Sequence, residues 1–358
     1  MLNVVLALVM LLVAQAAGAY PNMIRLGYVA CAACHVSPQG GGVLTRYGRG
    51  IDYAQTIRAG EPPDAERPSD ALTRFLYDVR LQMAVDHQQG SDSEYSFNTN
   101  VRSAVAVNAQ HRLVYAFGVR SPVLSINRRM GAATLGMSRL YWMYQPREGL
   151  ALVAGRDELP TGLGLPGANA FYKTVNNPNV SATPTQAKLF WWNRRWQLAG
   201  YGYGPDGNEA QPAFKARGAG AMGGINVWND RAVIGLTTRV SKADVFDRRS
   251  GGVFARVGFN EHAGLLVEHE VTGRELSTGR RLTHLAGHAE AFFVPVNWLQ
   301  TALAVEHVIT AGGARTCRVL PSAELRLTPN FRLQFSARNV YSDMNSRTYS
   351  IVLQVKAE

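Results

Sequence analysis

Residues 331–338 read FRLQFSAR, a run in which every second residue is apolar, from Phe331 to Ala337. A period of two is typical of a β-strand with one apolar and one polar face, because successive side chains point to opposite sides of the strand. The same alternation recurs in about sixteen runs between residues 74 and 357, each about ten residues long where it is clear. Clusters of Gly, Asn, Asp and Pro separate the runs, and this pattern predicts an all-β antiparallel domain.

Aromatic residues stand at the ends of many of these runs, where the interface girdles of a transmembrane barrel would lie. They are Tyr77, Tyr115, Tyr141, Trp142, Trp191, Trp192, Trp196, Tyr201, Trp228, Phe292, Trp298 and Tyr341. Charged residues fall opposite the apolar positions, and in a barrel they would line a wet lumen. They are Arg80, Arg112, Arg256, Glu268, Glu270, His284, His288, Glu290, Glu306, Glu324, Arg326, Arg332 and Arg338.

A soluble β-sandwich would also show this alternation, with the charged faces in bulk water. Sixteen strands would then need two or more domains joined by linkers, and the only linker-like segment is residues 60–71, rich in Pro and acidic residues. We therefore predict a transmembrane antiparallel β-barrel of about 16 strands over residues 72–358. The irregular segment 157–184 has many Gly, Pro and Asn residues, which predicts a surface or pore-entering loop.

The N-terminus favours export of the chain. Residues 1–19 contain no charged side chain, and an apolar run from Leu2 to Val13 is followed by Ala17 and Ala19 in an A-x-A arrangement. This pattern predicts a signal peptide cleaved before Tyr20. An uncleaved membrane anchor is the alternative, but the run is shorter than the ~20 residues that a helical span needs. Outer-membrane localisation follows from signal peptide and barrel together, with the periplasm as the alternative.

The charge balance bears on the partners. The chain carries 37 Lys and Arg against 26 Asp and Glu, a net charge of +11. The positive residues are spread along the chain and form no basic tail. For an exported protein we expect no nucleic-acid partner; outer-membrane lipid and lipopolysaccharide, an acidic protein or haem propionates are the counter-charges that fit.

Cys31, Cys34 and His35 form a C-x-x-C-H motif, the pattern of c-type haem attachment. Two thiols three residues apart can each bond one haem vinyl group, and the adjacent imidazole can serve as the proximal iron ligand. A structural disulfide would not require His35. A zinc site would need four ligands, and the sequence has no second C-x-x-C or H-x-x-x-H pair to supply the others. A thioredoxin-like redox pair would need a βαβ pattern, which is absent. We predict one covalently bound haem c per chain and no catalytic residue.

The remainder of residues 20–59 is predicted to support this haem. Gly40 to Gly42 would form a flexible turn, and Leu44, Tyr47 and Ile51 recur at the spacing of one short amphipathic helix. The sixth iron ligand stays open. Its candidates are Met23 within the segment, and Met143, His284 and His288 on the predicted lumen faces.

The stretch CAACHVSPQGGGVLTRYGR, residues 31–49, resembles the single-haem cytochrome–porin fusions of the bacterial outer membrane, whose best-known members oxidise iron. The shared residues are the haem motif and the Leu-Thr-x-x-Gly-Arg element at residues 44–49. The resemblance implies that the haem segment plugs the barrel and passes electrons across the outer membrane. An extracellular redox donor or acceptor such as Fe(II) and a periplasmic electron-carrier protein would be the partners. The alternative is a porin-like channel, or a soluble periplasmic protein, in which haem is structural or sensory.

Overall fold

The computed structural model describes most of the chain. The described residues are 21–57, 75–89, 93–120, 123–125, 129–130, 134–163, 183–205, 216–244, 246–342 and 345–357. The predicted signal peptide, residues 1–19, and the predicted linker, residues 60–71, lie outside them. Within these ranges, no helix is both long and apolar enough to cross a membrane.

The described strands form one antiparallel sheet. Their bounds are β1 Phe75–Gln88, β2 Ser93–Ala106, β3 His111–Arg120, β4 Val123–Ser125, β5 Arg129–Met130, β6 Thr134–Arg147, β7 Leu150–Arg156, β8 Thr185–Trp192, β9 Trp196–Tyr203, β10 Arg217–Val227, β11 Ala232–Ala243, β12 Phe246–Gly258, β13 Ala263–Leu276, β14 Arg281–Val296, β15 Leu299–Ile309, β16 Arg315–Thr328, β17 Phe331–Tyr341 and β18 Ser346–Ala357. Strands β4 and β5 form a short ribbon beside the first residues of β2. The other sixteen close a barrel, since β1 pairs with both β2 and β18. The prediction of a barrel of about 16 strands is confirmed.

The two faces of the strands differ as the alternation predicts. Apolar side chains on the outer face are exposed, among them Met83 at 49% and Leu236 at 65%. On the lumen face charged side chains are buried, among them Glu268 at 1% and Arg256 at 6% exposure. An apolar outer belt around a polar interior is the arrangement of a barrel that sits in lipid, which agrees with the predicted outer-membrane localisation.

The predicted aromatic girdle is correct only in part. Trp142, Trp196, Trp228 and Tyr341 are exposed on the outside. In contrast, Tyr141, Tyr201 and Phe292 are buried in the lumen, at 2%, 5% and 3% exposure. The reason is strand phase: neighbouring residues such as Tyr141 and Trp142 point to opposite faces of the sheet.

The two ends of the barrel differ. At the end where β1 begins and β18 ends, every connection between strands is a turn of two to four residues. The longest connection, residues 157–184, lies at the other end. In outer-membrane barrels the short turns face the periplasm and the longer loops face outward, so we call the two ends periplasmic and extracellular.

The described part of the long loop enters the lumen. Leu159 and Leu163 are buried, and the backbone N–H of Leu163 donates a hydrogen bond of 3.1 Å to Glu268 on β13. Leu163 also joins an apolar cluster with Leu266 and Phe292. The expectation of a pore-entering loop is thus met for residues 157–163, and residues 164–182 lie outside the described residues.

Residues 21–57, called the plug from here on, lie inside the barrel. They contain two short 3-10 helices, Pro21–Leu26 and Cys31–Ala33, and one α-helix, α1, Arg46–Tyr53. Ile24 and Val29 pack with wall residues of β11 to β15, and Val36 and Val43 pack with wall residues of β2, β3 and β6 to β9. A short helix is present as the spacing predicts, but Leu44 lies before its first residue, in a β-bridge, and Tyr47 is 54% exposed, so these residues do not form one buried apolar face.

Candidate functional site

The C-x-x-C-H motif forms a single helical turn within the plug. The backbone N–H groups of Cys34 and His35 both donate to the carbonyl of Cys31, at 3.2 and 3.0 Å. This turn holds the three side chains on one short stretch of rigid backbone. Cys31 and Cys34 are free thiols and are half-buried. Both sulfurs are therefore available for covalent attachment rather than joined in a disulfide.

Helix α1 is fastened directly onto this turn. Thr45 donates to the carbonyl of Cys34 from its backbone N–H at 2.9 Å and from its hydroxyl at 3.2 Å. The same hydroxyl caps the helix by accepting from the N–H of Gly48 at 3.0 Å. His35 and Leu44 form an antiparallel β-bridge beside it. The Leu-Thr-x-x-Gly-Arg element therefore acts as a clamp on the cysteine turn.

Two glycines permit close packing around the cysteines. A Cβ on Gly48 would lie 2.9 Å from the carbonyl carbon of Cys34 and closer still to its oxygen. Gly40 has a φ of +83°, and a Cβ there would lie 3.1 Å from the sulfur of Cys31. A larger residue at either position would push the backbone away from the motif.

His35 is in the state that an iron ligand needs. Burial, aided by the positive charges of Arg80, Arg139 and Arg102, lowers its pKa to about 4, while the backbone of Gly41 acts weakly in the opposite direction. The imidazole is therefore neutral at physiological pH and keeps a lone pair for a metal. Its Nδ1 is buried and has no hydrogen-bond partner among the described residues. Burial also raises the pKa of the Cys34 thiol.

Ion pairs anchor the plug to one side of the wall. The Asp52 carboxylate pairs with Arg332 on β17 and, at 2.8 Å, with Lys356 on β18. Burial alone would raise the pKa of Asp52, but Arg332, Lys356 and Arg326 hold it well below its usual range. Asp52 is therefore ionised at physiological pH, so its ion pairs with the wall do not depend on pH in that range.

Further contacts attach the plug around the rest of the barrel. Gln55 accepts from both Arg25 of the plug and Arg326 on β16. Arg49 donates to the carbonyl of Tyr77 on β1 at 2.6 Å. Other attachments are Gln39 to Lys188 on β8, Val29 to Gln197 on β9, and Cys31 to Arg256 on β12. The plug is thus held from several sides, mostly near the periplasmic end.

The structure places the sixth-ligand candidates in different surroundings. Met143 is fully buried and shares an apolar cluster with Val36, the residue after His35. The sulfur of Met23 accepts from Gln55 at 3.6 Å. The ring nitrogens of His288 lie 3.5 and 3.6 Å from the carboxylates of Glu290 and Glu306. His284 lies on the wall towards the extracellular end. The assignment of the sixth ligand remains a prediction.

The donor set fits a haem c better than a bare ion. In the described part of the chain, no group of three or more His, Cys, Asp or Glu side chains could hold a metal ion. Two thiols and one neutral imidazole on one turn match the covalent haem pattern, in which the porphyrin supplies four iron ligands. The assignment of these three residues to a haem remains a prediction. Sequence reasoning did not predict the roles of Asp52, Gln55 and their wall partners, because ordinary polar residues give no signal of a contact so distant in the chain.

Comparisons with known proteins identify the barrel only. No protein-family model matches the chain, and no curated protein matches it by sequence. The fold is similar to a loop-deletion mutant of OmpT, an outer membrane protein of Vibrio cholerae, with a TM-score of 0.63 and 10% identity over 79% of this chain and 99% of that one.

Two further solved structures are similar in the same way. One is the anion-selective porin from Comamonas acidovorans, with a TM-score of 0.58 and 10% identity over 79% of this chain and 99% of that one. The other is the outer membrane channel DcaP of Acinetobacter baumannii, with a TM-score of 0.57 and 8% identity over 79% and 97%. At these identities the likeness shows the porin-like barrel fold.

Proposed function

We propose that this chain is an outer-membrane c-type cytochrome that carries one haem in its barrel lumen and transfers electrons across the outer membrane. The observation that carries the proposal is the position of the C-x-x-C-H turn, which lies within the barrel with two free thiols and a neutral imidazole. A bound haem c would supply a one-electron Fe(III)/Fe(II) couple.

The chain's own residues would do three things for such a group. Cys31 and Cys34 would hold it through thioether bonds, and His35 would ligate the iron. The clamp formed by Thr45 and Gly48 would fix the orientation of these three side chains. The wall contacts of Asp52 would keep the whole assembly from leaving the lumen.

The barrel geometry supports exchange of electrons at both ends. The plug contacts the wall mainly near the periplasmic end, where a periplasmic electron-carrier protein could approach. An extracellular redox donor or acceptor would reach the lumen from the other end. The apolar band of a transmembrane barrel is about 25 Å tall, which is too thick for the two partners to touch each other. Electron transfer between them would therefore require a redox group held inside the barrel, such as the haem.

Covalent haem is tested first, on the full chain made in a host that matures c-type cytochromes. We expect one haem per chain by pyridine haemochrome assay, retained on a denaturing gel. Cys31→Ser with Cys34→Ser should abolish it, whereas Cys317→Ser, which alters the remaining cysteine, should keep full haem content. Haem loss in the Cys317 variant equal to that in the double variant would refute the attachment.

Electron transfer is tested in liposomes that contain trapped cytochrome c. We expect an external reductant that cannot cross lipid to reduce the trapped protein only when the haem-bearing chain is present. The matched control is the Cys31→Ser, Cys34→Ser variant, which should insert equally well by heat-modifiable gel migration. Equal reduction rates with both proteins would show that small molecules leak through the barrel, and the conduit would be rejected.

A porin-like diffusion channel is the second candidate, and the solved structures support it more directly, because two of those described above are a porin and a channel. In contrast, residues 21–57 contact wall residues on several sides of the lumen, so they would leave only a narrow passage for solutes. Single-channel conductance in planar bilayers separates the two functions. A large steady conductance in the intact protein would favour the channel, and a conductance that appears only when residues 21–57 are deleted would favour the plugged conduit.

A further inference from the structure

Two histidines meet on the outer face of the barrel, the face that carries the apolar belt. His269 on β13 and His307 on β15 belong to strands separated by β14, yet their ring centroids are only 5.1 Å apart. Their neighbours in sequence, Glu268 and Glu306, are buried in the lumen. Because successive side chains of a strand point to opposite faces, the two imidazoles lie on the outside, where both are half-buried.

The close approach of the two rings depends on the glycine between them. Gly287 on β14 is the cross-strand partner of both His269 and His307. A Cβ at Gly287 would lie 2.6 Å from Nδ1 of His269, 3.1 Å from Nδ1 of His307 and closer still to the Cε1 atom of His307. The imidazoles therefore fill the space that any other residue at position 287 would need, and both Nδ1 atoms lie close to one point above Gly287.

The pair has apolar surroundings near the extracellular end of the wall. On the outer face of β13, the exposed Val271 follows His269, and on that of β15 the exposed Val305 precedes His307. Since β15 ends at Ile309, His307 is close to the extracellular edge of the belt. Ionisable side chains on a lipid-facing surface are costly, and their presence marks a functional site whose partner has to be identified.

The two rings are arranged as ligands of one ion. No hydrogen bond joins either ring to a described residue, and the rings meet at a tilt of 33° rather than through an N–H···N hydrogen bond. Their Nδ1 atoms nevertheless lie close to the same point. Rotation of the two rings towards that point would bring both nitrogens to the ~2.0–2.1 Å at which Zn²⁺ is bound by imidazole.

We propose that His269 and His307 form a binding site for one divalent transition-metal ion, of the class of Zn²⁺, Cu²⁺ and Ni²⁺, on the outer face of the barrel near its extracellular end. Imidazole suits these ions, whereas Mg²⁺ and Ca²⁺ prefer oxygen ligands. Within the described residues no third His, Cys, Asp or Glu joins the pair. Water or the phosphate oxygens of neighbouring lipid headgroups would complete the coordination.

The bound ion would join β13 to β15 across β14, a connection that the backbone pairing of neighbouring strands does not provide. A metal ion that binds only the folded barrel stabilises it by mass action. The barrel should therefore resist heat better when Zn²⁺ is bound. This site does not depend on the haem or on the proposed electron transfer.

Binding is measured by calorimetric titration of the full chain in detergent, with Zn²⁺ as the probe. The background is Cys31→Ser, Cys34→Ser and Cys317→Ser, because thiolates would compete for the ion. We expect a binding event that persists in excess Mg²⁺, since Mg²⁺ does not favour nitrogen ligands. Displacement of Zn²⁺ by Mg²⁺ would show that carboxylate or phosphate oxygens bind the ion, and the site would be rejected.

Substitution of the two ligands is the main test. His269→Ala and His307→Ala should each weaken that binding event at least tenfold. They should also abolish the increase that Zn²⁺ causes in the temperature at which the barrel shifts on a heat-modifiable gel. His262→Ala is the matched control, because His262 lies in the turn between β12 and β13 and contacts the carbonyl of Val294 at 2.9 Å. Absence of zinc binding, or equal weakening by His262→Ala, would overturn the site.

Gly287→Ala tests the geometry while it leaves both histidines in place. Its methyl group would occupy the point near which the two Nδ1 atoms lie, so we expect binding to weaken at least tenfold. Gly251→Ala is the matched control, because Gly251 is also exposed on the outer face and a Cβ there would meet only a backbone oxygen 3.9 Å away. Equal affinity in the two glycine variants would show that no ion binds between the rings. Heat-modifiable migration checks the folding of every variant, and the histidine variants decide the question if Gly287→Ala does not fold.

Discussion

Gly48→Ala is expected to loosen the plug by disturbing the clamp on the cysteine turn. The added methyl group would lie 2.9 Å from the carbonyl carbon and 3.0 Å from the Cα of Cys34, and closer still to the carbonyl oxygen. All three atoms belong to the backbone, so a rotamer change cannot relieve the overlap. Overpacking of this kind costs about 1–3 kcal/mol.

The same helix offers a matched control. Gly50 lies two residues further along α1, and a Cβ there would meet nothing within 4 Å. Alanine in place of glycine stabilises a helix by up to about 1 kcal/mol at either position. Gly50→Ala should therefore tighten the plug, and the difference between the two variants isolates the steric contact with Cys34.

Amide hydrogen exchange of residues 46–53 measures local opening of the plug within the folded barrel. The propensity gain is common to both variants, so the steric cost of about 1–3 kcal/mol corresponds to exchange roughly 5 to 150 times faster in Gly48→Ala than in Gly50→Ala. In Gly50→Ala exchange should be equal to or slower than in the unaltered protein. Similar exchange in the two variants would show that α1 does not pack against Cys34 as described.

Three further predictions test the plug, the loop and the membrane face. Asp52→Asn should weaken the docked plug by about 3 kcal/mol, the low end for a buried pair because Glu324 also lies 3.6 Å from Arg332. Since the pKa of Asp52 is lowered in the folded state, its contribution is complete above about pH 4 and is lost as the pH falls further, so local opening of α1, measured as exchange relative to the intrinsic rate at each pH, should increase below that pH in the unaltered protein and not in Asp52→Asn. Lys188→Gln removes the 2.6 Å pair with Asp157, and exchange at residues 157–163 should rise at least tenfold; unchanged exchange would mean that this pair does not hold the loop. Leu236→Arg should destabilise the barrel in lipid vesicles by about 2–4 kcal/mol in urea titrations, and a stability equal to that of Leu236→Val would place Leu236 away from lipid.

Strand number and lumen polarity could be predicted because alternation acts over a few residues and repeats in every strand. The orientation of single aromatic side chains could not be predicted equally well. Tyr141 and Trp142 look alike in the sequence, yet Tyr141 is buried in the lumen and Trp142 is 40% exposed. The phase of β6 is fixed by its pairing with β3 and β7, including a register shift at Ala116 and Phe117. The sequence of β6 alone does not contain this pairing or its register shift, so it does not determine which side chains of β6 face the lumen.

The cysteine turn was predictable for the same local reason, since all three functional groups lie within five residues. The docking of the plug was not. Asp52 pairs with residues 280 and 304 positions away in the chain, and Gln55 bonds to a residue 271 positions away. No sequence pattern links residues so distant, and each polar residue alone resembles a solvated one. Only the closed barrel brings these partners together.

The buried positive charges near the periplasmic end of the lumen serve the attachment of the plug. Arg332 and Lys356 face the carboxylate of Asp52, so their charge stabilises the attachment of the plug. Loss of either charge should therefore loosen the plug, because it leaves the buried carboxylate of Asp52 with one partner fewer.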